Sequence, residues 1–490
     1  MNILDKTIVE IHEALLNKEV KVSDLVKEAI KRAKENKDNA FEMILEEDAL
    51  KEAYELDKEE VPVDNLLFGI PYVSKDNIST KGYETTGGSN ILKGYLPLYD
   101  ATVIKLLKDK KAVLIGKTTL DELAMGGTGT SGHLGIQYNP YDDTNSHLVG
   151  GSSSGSAVAT SAGIVPFSLG SDTGDSVRKP ASNVGLVGYK PTYGLISRFG
   201  LFPFSVSMDH IAYFSRSVED CGIIFDCLNQ YDENDYTSSL KEREKVTPLN
   251  KDKKYKIAVV KEIINSIDDK KINEEFNKLI DKLKAEGHTI DYVSIDEKIL
   301  RAVFPAYIII SSSEATSNNA NLDGIKFGNR KDGKTYEEVM FNTRNEGFGE
   351  LIKRRFVLGS YALMSENQNE VFLKAKRVRR IIVKKINELF ENYDFFIAPS
   401  SPSVAPKIGG ASDKLDNSYL IADNYLGIGN FGGYPSITLP LGFKENLPFG
   451  VSLTGGIFKD KDVLNMSLSI EKATGLKNLS INTKNELEAK

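Results

Sequence analysis

With 490 residues, 40% of them hydrophobic and 27% charged, the chain has the make-up of a globular protein long enough to bury a large core. Its 62 Lys and Arg against 69 Asp and Glu give a formal charge of −7, which excludes a general attraction to nucleic acid and leaves only a local patch or a partner subunit for such a contact. No stretch is apolar for long enough to cross a bilayer, and MNILDKTIVEIHEALL reads as an acidic amphipathic helix, unlike a signal or transit peptide, so a cytosolic chain without membrane contact is expected.

Residues 1–60 read as helical. Ile8, Ile11, Leu15 and Leu16 recur at helical spacing, and Ser23 can cap a second helix, SDLVKEAIKRAKEN. From residue 66 short apolar runs alternate with glycine turns. LLFGIPYVS, AVLIG and VPFSL predict buried strands, with helices over ATVIKLLKDK and TTLDELAM between them, and that alternation predicts an α/β sheet. Cys221 and Cys227 lie in a helical segment, SVEDCGIIFDC, where their spacing points them in different directions; they read as core thiols in a reducing compartment. The hydrophilic passage 230–256 reads as a surface linker. After it come a strand (IAVV), a charged helix (KINEEFNKLIDKLKAEG), a strand (TIDYVSI), two helices beyond residue 345, the strand DFFIAPSSP and a glycine-rich stretch, NYLGIGNFGGYPSITLPLGF. The simplest topology is one domain over 1–490, with the strands of both chain ends in one sheet and 230–350 as a peripheral insertion.

Residues 150–180, GGSSSGSAVATSAGIVPFSLGSDTGDSVRKP, concentrate serine and glycine at both ends of a small-residue segment, and a lone lysine, Lys75, stands upstream in GIPYVSKDNIST. None of the histidines (His12, His133, His147, His210 and His288) falls in either stretch, which points to a hydrolytic site with lysine as its base. Two familiar motifs fail on context. GSSSG matches a nucleophile elbow centred on Ser153 but lacks the apolar strand before it, and GKT at 116–118 lacks the first glycine of a phosphate loop, Lys111 standing there instead. A serine hydroxyl is a poor nucleophile until a base takes its proton; a lysine amine can do so once burial lowers its pKa from ~10.4 toward neutrality. Lys75 follows the apolar FGIPYVS and can sit buried at a strand end, although local sequence alone favours an ordinary surface lysine. The turn SDTGDS follows VPFSLG. Its backbone N–H groups can converge on a developing oxyanion, and a plain Asx turn closed by Asp172 fits equally well.

GGSSSGS followed by SDTGDSVRKPA, with GIPYVSKDN upstream, resembles the amidase signature family. LDELAMGG, VGYKPTYGLISRFGL, DGIKFGNR, EGFGELIKRRFVLGSYAL, KAKRVR and GGYPSITLPLGF extend the resemblance over nearly the whole chain, and within the family toward the glutaminase subunits of tRNA-dependent amidotransferases. The resemblance implies an α/β fold with a single large mixed β-sheet covered by helices on both faces. It also implies a Ser-cisSer-Lys triad, with Lys75 as base, Ser152 as bridging serine in a cis peptide and Ser176 as nucleophile; their separation agrees with the family's. Thr173, Gly174 and Asp175 would supply oxyanion-hole amides alongside Ser176, and Arg178 would brace the turn. Arg355 (with Arg354 as the register alternative) would take the α-carboxylate of glutamine, Asp423 its ammonium, and Tyr307 would stand near the substrate. Their ordinary readings are a helix-surface arginine, a loop acid and a core tyrosine. The implied reaction is glutamine hydrolysis, with ammonia passed to a B subunit that converts Glu-tRNA(Gln) to Gln-tRNA(Gln) using ATP and Mg2+, and a small C subunit clasping the other two into a heterotrimer. No metal or cofactor is implied in this chain, and tRNA contact is implied mainly for the B subunit.

Two positions depart from the family pattern. Its T-G-G-S turn is here Thr173-Gly174-Asp175-Ser176, and the Asp175 carboxylate is expected to point away from the oxyanion. After AMGG its S-T-E is replaced by Thr128-Gly129-Thr130-Ser131, which lacks the acid associated with the ammonia path. The basic run KAKRVRRIIVKK at 374–385 reads as a solvated helix face, with Val378, Ile381 and Ile382 packed inward. Two alternatives remain open on the sequence: a free-standing small-amide amidase with the same triad, and a non-catalytic assembly subunit, suggested by Asp175.

Overall fold

In the computed structural model, whose described residues are 2–410 and 416–484, eleven strands hydrogen-bond into one mixed sheet. In chain order they are β1 (Phe41–Ile44), β2 (Pro71–Lys75), β3 (Val113–Thr118), β4 (Phe167–Asp172), β5 (Val187–Lys190), β6 (His210–Ser215), β7 (Lys256–Val260), β8 (Thr289–Val293), β9 (Phe395–Pro399), β10 (Ser436–Lys444) and β11 (Leu447–Gly455). Across the sheet they run β1-β3-β2-β4-β6-β5-β10-β11-β9-β7-β8. Strands β2 to β6 and β9 are buried along their whole length, so their apolar residues pack on both faces and the polar residues among them, Ser168 and Ser171 on β4 for example, are enclosed as well. Successive side chains still diverge. On β6, Ile211 and Tyr213 join one core cluster while Ala212 and Phe214 join another; on β9, Phe395 and Ile397 separate in the same way from Phe396 and Ala398. Helices therefore cover both faces of the sheet. The helix Val22–Glu35 illustrates the packing: Val22, Leu25, Val26, Ala29, Ile30 and Ala33 make one buried stripe, each large apolar side chain contributing roughly 2 kcal/mol by burial.

Several expectations need correction. The first 60 residues are not all helical, because β1 lies among them as an edge strand antiparallel to β3. The segment 230–350 is not a peripheral insertion: β7 pairs in parallel with both β8 and β9, so the strand–helix–strand unit of this region completes the far side of the same sheet. TTLDELAM forms only a 3-10 turn, Glu122–Ala124, whose Leu123 and Ala124 take φ of 48° and 60°. Its acids bond to neighbouring loops, and that overrides the helical spacing of its apolar residues. Ile381 is 57% exposed on the helix Phe372–Phe390, although Ile382 is buried and Val378 partly so. Ser23 also lies inside its helix rather than at the cap, where Lys21 stands.

One detail of the topology positions everything that follows. β2 and β4 are parallel neighbours, with Tyr72 opposite Phe167 and Ser74 opposite Leu169. Their carboxyl ends therefore emerge together, delivering Lys75 and the turn after Asp172 to the same end of the sheet, where open α/β sheets place their ligands.

Candidate active site

Lys75 closes β2 and is fully enclosed. Its Nζ lies 2.7 Å from Ser152 Oγ, 2.9 Å from Ser153 Oγ and 2.9 Å from Ser171 Oγ. All three partners are hydroxyls. Burial drives the amine from 10.5 down to about 7, against the opposing pull of Asp121, Asp172 and Asp209. In its neutral form the nitrogen offers a lone pair, so one of the three contacts then runs from hydroxyl to amine.

The Gly151–Ser152 peptide is cis, and the step it makes is tied to the turn after β4: the Ser153 amide donates to Ser176 O at 3.2 Å, and Ser153 Oγ donates to Ser171 O at 3.0 Å. Asn77 Nδ2 donates to Ser171 Oγ at 3.0 Å. The turn itself is braced by Arg178, which is fully buried. Its guanidinium meets Asp172 at 2.9 Å and 3.1 Å and donates to Gly174 O at 2.8 Å, Leu426 O at 2.8 Å and Asn430 Oδ1 at 2.7 Å. Burial works to raise the Asp172 carboxyl, but the Arg178 charge and the Asn430 amide overrule it and hold the group well below the usual carboxylate range. Asp172 also accepts from the Val177 amide at 3.0 Å, five residues on, so its carboxylate spans the whole turn and does not close the short Asx turn that the sequence allowed. Among the described residues no group accepts from the amides of Thr173, Gly174, Asp175 or Ser176. The carboxylate thus braces the far end of the turn and leaves the amides of residues 173–176 without an acceptor among the described residues.

Against the turn stand side chains from the second half of the chain. A Cβ at Gly174 would fall 2.9 Å from the Tyr307 ring, so the helix Val303–Asn318 lays that ring directly on the turn. Arg355, on the helix Glu350–Leu363, turns inward over the Phe204 ring at 5.4 Å; its Nε and Nη1 are buried and have no hydrogen-bond partner. Arg354, its neighbour on the same helix, is exposed. Asp423 follows the turn Ser418–Ala422 and is paired with Lys179, Nζ to Oδ1 at 2.5 Å. Burial pushes the Asp175 carboxyl up to about 6; Lys179 draws it back, while Asp172 and Asp423 add to the rise. Burial raises the Tyr307 and Tyr419 hydroxyls, and the charge on Asp175 adds to both rises.

A serine–serine–lysine cluster braced by a buried Arg–Asp pair is one side of the comparison with known proteins; the sequence supplies the other. The profile of the family described as Amidase matches residues 24–464. The chain belongs to the amidase family. Relatives named as the A subunit of glutamyl-tRNA(Gln) amidotransferase share 38% identity in Pediococcus pentosaceus, over 97% of this chain and 98% of that one, and 40% in Persephonella marina, over 98% and 99%. The crystal structure of the glutamyl-tRNA(Gln) amidotransferase A subunit from Thermotoga maritima superposes with a TM-score of 0.77 at 35% identity, covering 96% of this chain and 95% of its own. A crystal structure of an amidase superposes with a TM-score of 0.81 at 27% identity, covering 96% and 100%.

Several contributors to this amidase-family site escape sequence reasoning. Ser153, dismissed with the elbow motif, and Ser171 both bond Lys75; the signal for Ser171 was its place near the end of β4, beside the turn. Lys179 engages Asp423, and nothing local in RKPAS announces a partner in a loop so far along the chain. Asp121 gathers the loop around Thr130, accepting from the amides of Thr128, Gly129, Thr130 and Ser131 at 2.9–3.0 Å. Among the described residues no cluster of His, Cys, Asp and Glu could hold a metal ion, and no helix is long and apolar enough to cross a membrane.

Proposed function

We propose that the chain is the glutamine-hydrolysing subunit of a tRNA-dependent amidotransferase, with Ser176 as nucleophile, Ser152 as proton relay and Lys75 as base. The observation that carries this reading is the buried Lys75 amine, brought down to about 7 and in contact with three hydroxyls. As Ser176 Oγ attacks the side-chain amide carbon of glutamine, its proton passes to Ser152 Oγ while the Ser152 proton passes to Lys75 Nζ. The C–O bond forms, the carbonyl becomes an oxyanion, and the amides of Thr173, Gly174, Asp175 and Ser176 receive it. Collapse breaks the C–N bond, the leaving nitrogen takes back a proton through Ser152, and ammonia departs from a glutamyl-enzyme. Water then repeats the sequence and releases glutamate.

Arg355 serves the α-carboxylate, because a buried guanidinium lacking partners is costly until an anion enters. Asp423 takes the ammonium from beside Lys179, and Tyr307 walls the site. The subunit designation of the relatives supports a division of labour in a cytosolic complex of three kinds of subunit, B and C being the partners. Ammonia passes to the B subunit, which binds Glu-tRNA(Gln) and uses ATP and Mg2+ to make Gln-tRNA(Gln). The unpartnered arginine favours this over a free-standing amidase for simple amides, which would need no carboxylate site.

Ser176→Ala separates the readings in the reconstituted enzyme. Glutamine-dependent amidation is expected to vanish while amidation from added ammonia continues. Loss of both activities would overturn the division of labour, and glutamine hydrolysis that needs no partner subunit would favour the free-standing amidase.

A further inference from the structure

The 3-10 turn Glu122–Ala124 lies between two loops that the proposed chemistry uses, and its adjoining acids bond in opposite directions. On one side the Asp121 amide donates to Ser152 O at 3.1 Å, and its carboxylate holds the loop 128–131. On the other side the buried Glu122 accepts from Ser89 Oγ at 2.5 Å and from the Gly349 amide at 2.9 Å and 3.2 Å. Gly349 is the N-cap residue of the helix that carries Arg355, and its own side chain offers no cap. Glu122 reaches across from a remote part of the chain to bind the backbone N–H that a capping box would normally serve locally. A Cβ at Gly349 would fall 2.5 Å from Glu122 Oε2, so the glycine is what admits the carboxylate. Leu123 and Ala124 follow with φ of 48° and 60°, a left-handed conformation that L-residues adopt at a cost and that persists where the surroundings enforce it.

We propose that Glu122 is a positioning residue for glutamine: by fixing the start of the helix Glu350–Leu363 against the turn that also holds the Ser152 peptide, it sets the distance between Arg355 and the nucleophile. The inference rests on Arg355 as the α-carboxylate ligand. Side chains on a helix lean toward its N-terminus, so the Arg355 head reaches back toward the end that Glu122 holds. Because Nε and Nη1 have no partner, placement of the head depends on placement of the helix. One turn of chain thereby couples the reacting centre to the group that orients the substrate.

The test uses the reconstituted enzyme with glutamine as substrate. Glu122→Ala is expected to raise the glutamine KM on the order of 10-fold, with kcat within about 2-fold, as loss of a helix-start contact without loss of chemistry implies. Glu122→Gln keeps an acceptor for the Gly349 amide and should recover a KM within about 3-fold of the parent. Gly349→Ala disturbs the same contact from the helix side, keeps the acid, and should shift KM in the same direction, so the inference stays open to refutation even if Glu122→Ala fails to fold. Arg355→Lys is measured in parallel. If it raises KM while Glu122→Ala and Gly349→Ala do not, or if those two lower kcat with KM unchanged, the positioning role is overturned and the carboxylate reading stands. If Arg355→Lys leaves KM untouched, both fall. Combined with Arg355→Lys, Glu122→Ala should cost little more than Arg355→Lys alone, because both act on one contact.

Discussion

Holding the Lys75 amine near 7 instead of 10.5 disfavours its charged form by roughly 5 kcal/mol, since each pKa unit is worth ~1.4 kcal/mol. The sign follows from which state keeps the proton. Between those two values the unfolded chain holds it and the folded chain does not, so this group's contribution to stability improves as pH rises through that window and is least favourable below 7. Catalysis needs the neutral amine. Glutamine kcat/KM is therefore expected to climb with pH to a bend near 7 and level off above it, in a profile measured from about pH 5.5 to 9. A flat profile across that bend would remove Lys75 from the role of base. Asp175 titrates nearby with the opposite consequence. Its carboxyl, pushed up to about 6, is mostly charged at neutral pH, and its residue belongs to the turn proposed to receive the oxyanion. Asp175→Gly is expected to leave kcat equal or up to about 10-fold higher at about pH 8, with less gain at about pH 5.5, where the parent carboxyl is largely neutral. A slower variant at the higher pH would show that the acid assists the reaction.

At the scale of elements, what was legible in the sequence depended on whether burial or partnership decided the outcome. β2, β3 and β4 announce themselves because short apolar stretches such as GIPYV and AVLIG lead into turn residues, and VPFSLGSD carries its turn directly. The segment TTLDELAM has apolar spacing that suits a helix, yet Asp121 and Glu122 bond to residues 128–131 and 349, and those distant bonds decide its shape. β7 and β8 were readable as strands but not as members of this sheet, because pairing with β9 crosses more than a hundred residues of chain. Register was the other limit. KRRFV offers two adjacent arginines, and only the helix packing turns Arg355 inward and leaves Arg354 in solvent. The proposed triad was legible only through resemblance, since local sequence allowed a buried Lys75 but favoured an ordinary surface lysine.

Taken whole, the molecule assembles its candidate site from segments that meet only after the sheet has closed: the end of β2, the turn after β4, the helices Val303–Asn318 and Glu350–Leu363, and the loop around Asp423. The first half supplies the reacting groups, and the second supplies those assigned to the ends of glutamine. A substrate that bridges them adds its binding energy to the stability of the entire fold. In a Ser176→Ala background, where turnover is blocked, glutamine at about 100 times its Kd is expected to stabilise the chain by roughly 2.7 kcal/mol. For a chain of this length that corresponds to a rise of roughly 2–3 °C in the thermal midpoint, from an unfolding entropy of about 2.1 cal/mol/K per residue. Adding Arg355→Lys should abolish the shift at the same glutamine concentration, and a simple amide without α-groups should give none in either background. A glutamine shift that survives Arg355→Lys would mean that the second half of the chain recognises the substrate through some other group.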